Sequence, residues 1–236
     1  MKIEKLDWDS QFFGFGIAKI PTDNITEKVL TNILLQAKKE NIKLLYWFIA
    51  PDNENLNLLA IKFNAFLADE KTTFIKSISN QVKAVSTNIS RYNPTVPNAE
   101  LYSLSQQSAE FSRFKMDGMF PANACENLYI QWIINSVNKK IADSVLVFEQ
   151  NEKITGMITL KAKDNMGYIG LIGVDTQMRG MQIGTKLIES AEHYFAQKTV
   201  NTIEVVTQRA NIKACNFYIK NGFSIKQIEN VYHLWI

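Results

Sequence analysis

The chain has 236 residues, 46% of them hydrophobic and 21% charged, with a formal net charge of +3. These are the proportions of a globular chain of one or two domains that folds on its apolar core without disulfides or metal. The charge is spread evenly: 12 basic and 11 acidic side chains in residues 1–100, 14 and 12 in the rest, which excludes a basic face for nucleic acid or an anionic membrane. Residues 2–6 and 15–20 read as short strands, with Phe12-Phe13-Gly14 as an aromatic turn between them. In residues 26–40, Val29, Ile33, Leu34 and Ala37 recur at helical spacing, and Thr26 is placed to cap the helix. Lys43–Ala50 is a dense apolar run stopped by Pro51, the pattern of a buried strand. Glu54–Phe63 reads as a helix, and 65–78 and 81–90 as strands. The polar stretch Ser86–Glu100, with Pro94 and Pro97, suits either a linker or a long loop. Taken as a boundary, it divides an N-terminal α/β lobe, 1–95, from a second unit, 96–236.

In that second unit Asn123–Asn138 is a predicted helix. Val145–Gln150 and Ile154–Ala162 form a hairpin about Asn151-Glu152-Lys153. Gly167–Asp175 is a strand, Arg179–Gln197 a helix, Thr202–Gln208 a strand and Asn211–Lys220 a helix that ends at Asn221-Gly222. Two closing strands follow, 223–228 and 231–236, whose edges suit pairing across a homodimer.

Cys125 and Cys215 are too few for a disulfide scaffold or a four-cysteine zinc site, and are expected to be inert thiols, Cys215 as a small buried hydrophobe. His193 and His233 are far apart in sequence, which argues against a histidine-built metal site and against a Ser–His or Cys–His nucleophile. No apolar stretch reaches the ~18 residues of a membrane span, and Met1–Ser10 lacks the apolar region of a signal peptide. The expectation is a soluble, cytoplasmic, metal-free protein.

The segment that carries chemistry is strand 167–175, its turn and the next helix. Gly167, Gly170 and Gly173 interrupt an otherwise aromatic and branched strand, the mark of a bulge or of a ligand's close approach. The turn Arg179-Gly180-Met181-Gln182-Ile183-Gly184 opens a helix, where free backbone N–H groups and the helix dipole favour phosphate and an arginine adds a forked donor. A glycine-capped tight turn gives the same pattern. In Asn211-x-x-Ala214-x-x-Phe217-Tyr218-x-x-x-Gly222-Phe223, the asparagine suits a helix cap and the tyrosine suits core packing.

Together the two units resemble the GNAT superfamily of acyl-CoA N-acyltransferases over residues 145–236. The resemblance implies an α/β (α+β) fold whose mixed, mostly antiparallel sheet splays at a bulge, with acetyl-CoA as co-substrate. It implies cofactor contacts from Ile172, Gly173, Val174, Arg179, Gly180, Met181, Gln182, Ile183, Gly184, Thr185, Asn211, Ala214 and Phe217, with the Val174 N–H polarising the thioester carbonyl. Tyr218 becomes the acid that protonates the departing thiolate. Gln182 departs from the pattern, which has glycine there. A narrower resemblance, through Trp8–Gly14, Ser112-Arg113-Phe114, Tyr129–Ile133 and Val206-Thr207-Gln208, is to the TDP-fucosamine N-acetyltransferases. It implies a nucleotide-linked amino sugar as acceptor, with Arg113 and Lys115 at the diphosphate and Phe114 or Phe120 against thymine or sugar. A solvated basic loop with two core aromatics is the plainer reading of Ser112–Pro121.

A sugar amine has a pKa near that of an α-amino group, roughly 8, so part of it is neutral at physiological pH and a water relay suffices as base. Asp175 and Glu204, at the strand ends, are further candidates for that relay. Two other functions fit the same motifs: acetylation of a different amine, such as a protein N-terminus, a polyamine or an antibiotic, and a CoA-binding module without turnover.

Overall fold

The computed structural model describes residues 3–21, 25–78 and 86–236. In chain order the elements are β1 (Glu4–Lys5), α1 (Asp7–Phe13), β2 (Gly16–Lys19), α2 (Glu27–Lys39), β3 (Ile42–Ile49), α3 (Glu54–Lys62), β4 (Phe66–Ser77) and β5 (Ile89–Arg91). Then come α4 (Ala99–Gln107), α5 (Arg113–Met116), α6 (Ala124–Val137), β6 (Ser144–Gln150), β7 (Lys153–Lys163), β8 (Met166–Val174), a 3₁₀ turn (Thr176–Met178), α7 (Ile183–Ala196), β9 (Thr202–Gln208), α8 (Ile212–Lys220) and β10 (Ser224–Trp235). All ten strands form one sheet in the order β1-β2-β3-β10-β4-β9-β8-β7-β6-β5. Among the described residues, only β2–β3 and β8–β9 pair in parallel.

Most elements form where local chemistry places them. Thr26 accepts from the Val29 N–H at the start of α2, and Asn53 does the same for Leu56 at α3. β3 is buried because both of its faces are covered: Leu45 and Trp47 pack under α2 and α3, while Leu44 and Tyr46 pack under α4–α6.

Four expectations are corrected. The aromatic turn at Phe12–Gly14 is the end of α1, closed by Gly14 in the left-handed conformation at φ +79°. The two closing strands are one, β10, bent by bulges between Ile225 and Gln227 and between Val231 and Tyr232. It is hydrogen-bonded to β3 over Asn230–Trp235 and to β4 over Ser224–His233, so Asn230–His233 is paired on both sides. The stretch after Pro97 is not all loop: Asn98 caps α4 through the Leu101 N–H. Of the strand expected over 81–90, residues 81–85 lie outside the described residues, and 89–90 belong to the short β5, paired along β6.

The sheet does not divide near residue 95. β4 lies between β10 and β9, and one apolar cluster joins Phe13, Leu44 and Tyr46 to Leu101, Leu128 and Met157.

Candidate active site

β8 and β9 run in register from Met166↔Thr202 to Ile169↔Val205 and then part. Where β8 faces β7, its register slips between Ile158 and Leu160, so Gly170 and Leu171 form a bulge whose Leu171 N–H donates to Thr159 Oγ1 at 2.8 Å. The gap between the diverging strands opens a cleft of about 520 Å³.

One wall is the end of β8 and the turn that follows. Ile172, Gly173, Val174, Arg179, Gly180, Gln182, Ile183, Gly184 and Thr185 line it. Helix α7 begins at Ile183, and its first intrahelical bond is from the Lys186 N–H to Gln182 O. The amides of Ile183, Gly184 and Thr185 are therefore free at the positive end of the helix, facing the cleft. Gln182 stands at φ +60°, taking the left-handed conformation that glycine takes freely. Its side chain makes no cap bond, so the turn keeps its shape without the motif glycine. Arg179 is tied back by its Nε, which donates to Val174 O at 3.3 Å. Met181 is the one residue of the expected set outside the lining; its side chain is half exposed.

The opposite wall is β9 and α8, with Val205–Gln208, Asn211, Lys213, Ala214, Phe217, Tyr218 and Lys220. Asn211 caps α8, its Oδ1 accepting from the Ala214 N–H at 3.1 Å, and still lines the cleft. The charged side chains of the lining are Arg179, Lys213, Lys220 and Glu110, a cationic excess suited to phosphate.

Tyr218 projects from α8 with its ring held among Phe74, Phe217 and Phe223, at centroid distances of 5.3–5.7 Å. Among the described residues nothing hydrogen-bonds its side chain. Burial drives its phenol well above the usual tyrosine range, so it is protonated at any physiological pH.

The roof was not expected. Gln107, Ser108, Glu110 and Phe111, from the end of α4, and Tyr129 of α6 close over the splayed strands. Gln107 Oε1 accepts from the Thr176 N–H at 3.1 Å, and Ser108 Oγ donates to Leu104 O at 2.9 Å. This packing explains the strand glycines. A Cβ on Gly173 would meet Ser108 Oγ at 2.9 Å and Leu104 O at 3.0 Å, one on Gly167 the Phe195 ring at 2.9 Å, and one on Gly170 Thr159 Oγ1 at 2.9 Å. The glycines make room for neighbouring protein groups, and Gly170 sits in a bulge, one of the two features that such glycines mark.

The remaining candidates lie outside the cleft lining. Phe114 and Phe120 are core aromatics, each 8% exposed, packed with Phe13, Tyr46, His233 and Trp235, because the single turn of α5 turns its apolar side inward. That corrects their expected place on an acceptor. Arg113 stacks over Tyr46, with Cζ 4.1 Å from the ring centroid, and its buried Nη1 has no hydrogen-bond partner. Lys115 is exposed. Asp175 caps the 3₁₀ turn through the Gln177 N–H, and Glu204 is paired with Lys226 at 2.7 Å, so neither is poised as a base. Cys215 is half-buried, less enclosed than expected, while Cys125 is buried.

A model of the acetyltransferase (GNAT) family matches residues 102–223, more than half of the chain and the whole of the cleft. The chain belongs to the GNAT acetyltransferase family. Members of this family use acetyl-CoA as acyl donor, and the free amides, cationic lining and open seam of the cleft fit such a molecule. The GNAT fold extends over most of the chain. A GCN5-related N-acetyltransferase from Sphaerobacter thermophilus superposes with a TM-score of 0.60 at 13% identity, covering 86% of this chain and 65% of its own. A tandem GNAT protein from the clavulanic acid biosynthesis pathway gives 0.58 at 12% identity, covering 92% and 74%. Among characterised sequences, the spore coat polysaccharide biosynthesis protein SpsD of Bacillus subtilis is 24% identical over 132 residues, 56% of this chain and 45% of SpsD. The chain spans about half the length of the curated relatives it matches. Among the described residues no helix is long and apolar enough to cross a membrane.

Proposed function

We propose that the protein transfers the acetyl group of acetyl-CoA to the amino group of a nucleotide-linked amino sugar of the TDP-4-amino-4,6-dideoxyhexose type. The observation that carries the transferase reading is Tyr218: a protonated phenol with no internal partner, lining the same cleft as the amide-rich turn at 179–185. The likeness to a polysaccharide-biosynthesis protein supports the sugar.

In this reading the amides of 183–185, with Lys213 and Lys220, take the phosphates, and the pantetheine arm follows the parting of β8 and β9. The neutral amine attacks the thioester carbon, with the Val174 N–H donating to the developing oxyanion. The C–N bond forms as C–S breaks, Tyr218 passes its proton to sulfur, and the amine's proton leaves through water. No basic side chain is required. Tyr218→Phe removes the acid and leaves the ring packing in place. Its kcat is expected to fall about 10²–10⁴-fold with acetyl-CoA affinity kept; near-normal turnover would overturn the assignment. The substrate is tested by thiol release from acetyl-CoA with a panel of TDP-amino sugars. Release only with polyamines or peptide N-termini would move the acceptor to another amine class, and binding without release to any amine would make the protein a CoA-binding module.

A further inference from the structure

One face of the sheet continues from the cleft into the N-terminal strands. Gln208 of β9, which lines the cleft, pairs with Lys71 of β4, and Lys71 pairs with Glu229 of β10. Two residues along, Asp69 pairs with Val231, and Val231 with Phe48 of β3. Directly paired and alternate residues share a face, so Gln208, Lys71, Asp69 and Phe48 form one surface. Phe48 lies three strand spacings across and two residues along from Gln208, roughly 16 Å, whereas Lys71 is one spacing away.

Three cations converge on Phe48. Lys19 Nζ lies 5.0 Å from its ring centroid, Lys71 Nζ 5.6 Å and Arg113 Cζ 5.7 Å. Of these, Lys71 is ion-paired, to Glu229 at 2.7 Å. Lys19 and Arg113 form no ion pair or side-chain hydrogen bond among the described residues, and Arg113 Nη1 is buried without a partner. Asp9 and Asp69 act on Arg113 from beyond ion-pair distance. Burial raises both carboxyls, Asp69 to about 7, so part of the Asp69 charge is absent at neutral pH. Gathering cations with this little compensation is unfavourable unless an anion joins them.

We propose that Lys19, Lys71 and Arg113, gathered around Phe48, hold the diphosphate of the acceptor, whose amine reaches past Gln208 to the thioester. The proposal rests on the nucleotide-sugar reading above and gives it a location. A guanidinium fork and two ammonium groups suit the oxygens of a diphosphate, and Lys71, one strand from Gln208, brings the cleft end of the group within a hexose of the amine's place.

The test is calorimetric titration of thymidine diphosphate, and separately of inorganic pyrophosphate, with acetyl-CoA saturating so that the coenzyme cleft is closed to them. Lys19 is unpaired and partly exposed, so Lys19→Ala leaves the fold intact, and unchanged acetyl-CoA affinity verifies this. Both ligands are expected to bind the unaltered protein, more weakly as salt rises, with affinity about tenfold lower in Lys19→Ala and lower again in Lys19→Ala/Arg113→Lys. No binding, or equal affinity in the variants, would overturn the site. Acetylation of a TDP-amino sugar with a KM indifferent to Lys19→Ala would remove the site and leave the substrate reading standing. Lys19-dependent binding of thymidine diphosphate without acetylation of any TDP-amino sugar would keep the site and remove that reading.

Discussion

Gly180 and Gln182 sit two residues apart in the same turn, both in the left-handed region, at φ +85° and +60°. A Cβ on Gly180 would meet no atom within 4 Å, so Gly180→Ala acts through the backbone alone. The strain is about 1–2 kcal/mol, and it is relieved by opening the turn that presents the free amides. The expected result is a several-fold higher KM for acetyl-CoA with kcat nearly unchanged, read from steady-state kinetics. Gln182→Gly relieves the same strain, offset by glycine's greater freedom when unfolded, and should leave the melting temperature within a degree or two. Asp69 makes a different prediction. Its carboxyl holds a proton up to a pH of about 7 in the fold, against an ordinary value of 3.8, because burial penalises the charge. The folded protein therefore keeps a proton that the unfolded chain gives up, and stability falls as pH rises from about 4 to 7. Asp69→Asn has nothing to ionise. Its melting temperature relative to the unaltered protein should climb across that window, reaching roughly 2–4 °C above it at pH 8. A difference that is flat with pH would show that Asp69 ionises normally.

Among the elements, α4 with the loop after it, and α6, bring the unexpected residues to the site. α4 rests directly on Gly173, so Gly173→Ala lifts the roof: Leu104 O is backbone and cannot swing aside. A loss of about 1–3 kcal/mol in urea denaturation is expected. Asp117 fastens the segment after α5 to β10. It accepts from His233 Nδ1 at 2.6 Å, Trp235 Nε1 at 2.9 Å and, through Oδ1, the Met119 N–H at 3.0 Å. Burial opposes its charge, but these donors together hold its carboxyl below the usual range. Burial also lowers His233, so the ring is neutral, donates through Nδ1 and leaves Nε2 unpaired. Asp117→Ala leaves three donors without an acceptor and is expected to cost about 3 kcal/mol. The sequence made some of these elements plain and hid others for local reasons. The turn that opens α7, the Asn211 cap and the helix that carries Tyr218 are legible because each is set by neighbours within a few residues. α4 is hidden because its apolar signal is little more than Leu101 and Leu104, and its capping Asn98 reads as loop beside Pro97. The strand glycines mark the bulge at Gly170, but the groups that need their room, Phe195, Thr159 and Ser108, come from other elements and leave no local signal.

On the scale of the whole molecule, the chain crosses its own sheet. β4 comes from the N-terminal half and fills the place between β9 and β10, with Lys71–Ser77 paired to β9 and Phe66–Ile75 to β10. No pattern along the chain encodes that insertion; Pro94 and Pro97 mark a surface passage, and the pairing around it is non-local. Residues 96–236 expressed alone would leave facing edges of β9 and β10 unpaired and Tyr218 without Phe74 beneath it. That fragment is expected to aggregate, and adding residues 1–95 during refolding should recover acetyl-CoA binding. A soluble, coenzyme-binding 96–236 fragment would show that the second half is self-sufficient.

The position of β10 has a consequence for synthesis. It lies between β3 and β4, yet it begins at Ser224, long after β4 has ended at Ser77. While the ribosome is still at work, β3 and β4 have no strand to join them, and Tyr46, Trp47 and Phe74 sit on edges that any neighbouring chain can pair with. The sheet zips shut only after Ser224–Trp235 emerges. A nascent form of this protein should therefore lean on chaperones until β10 is made.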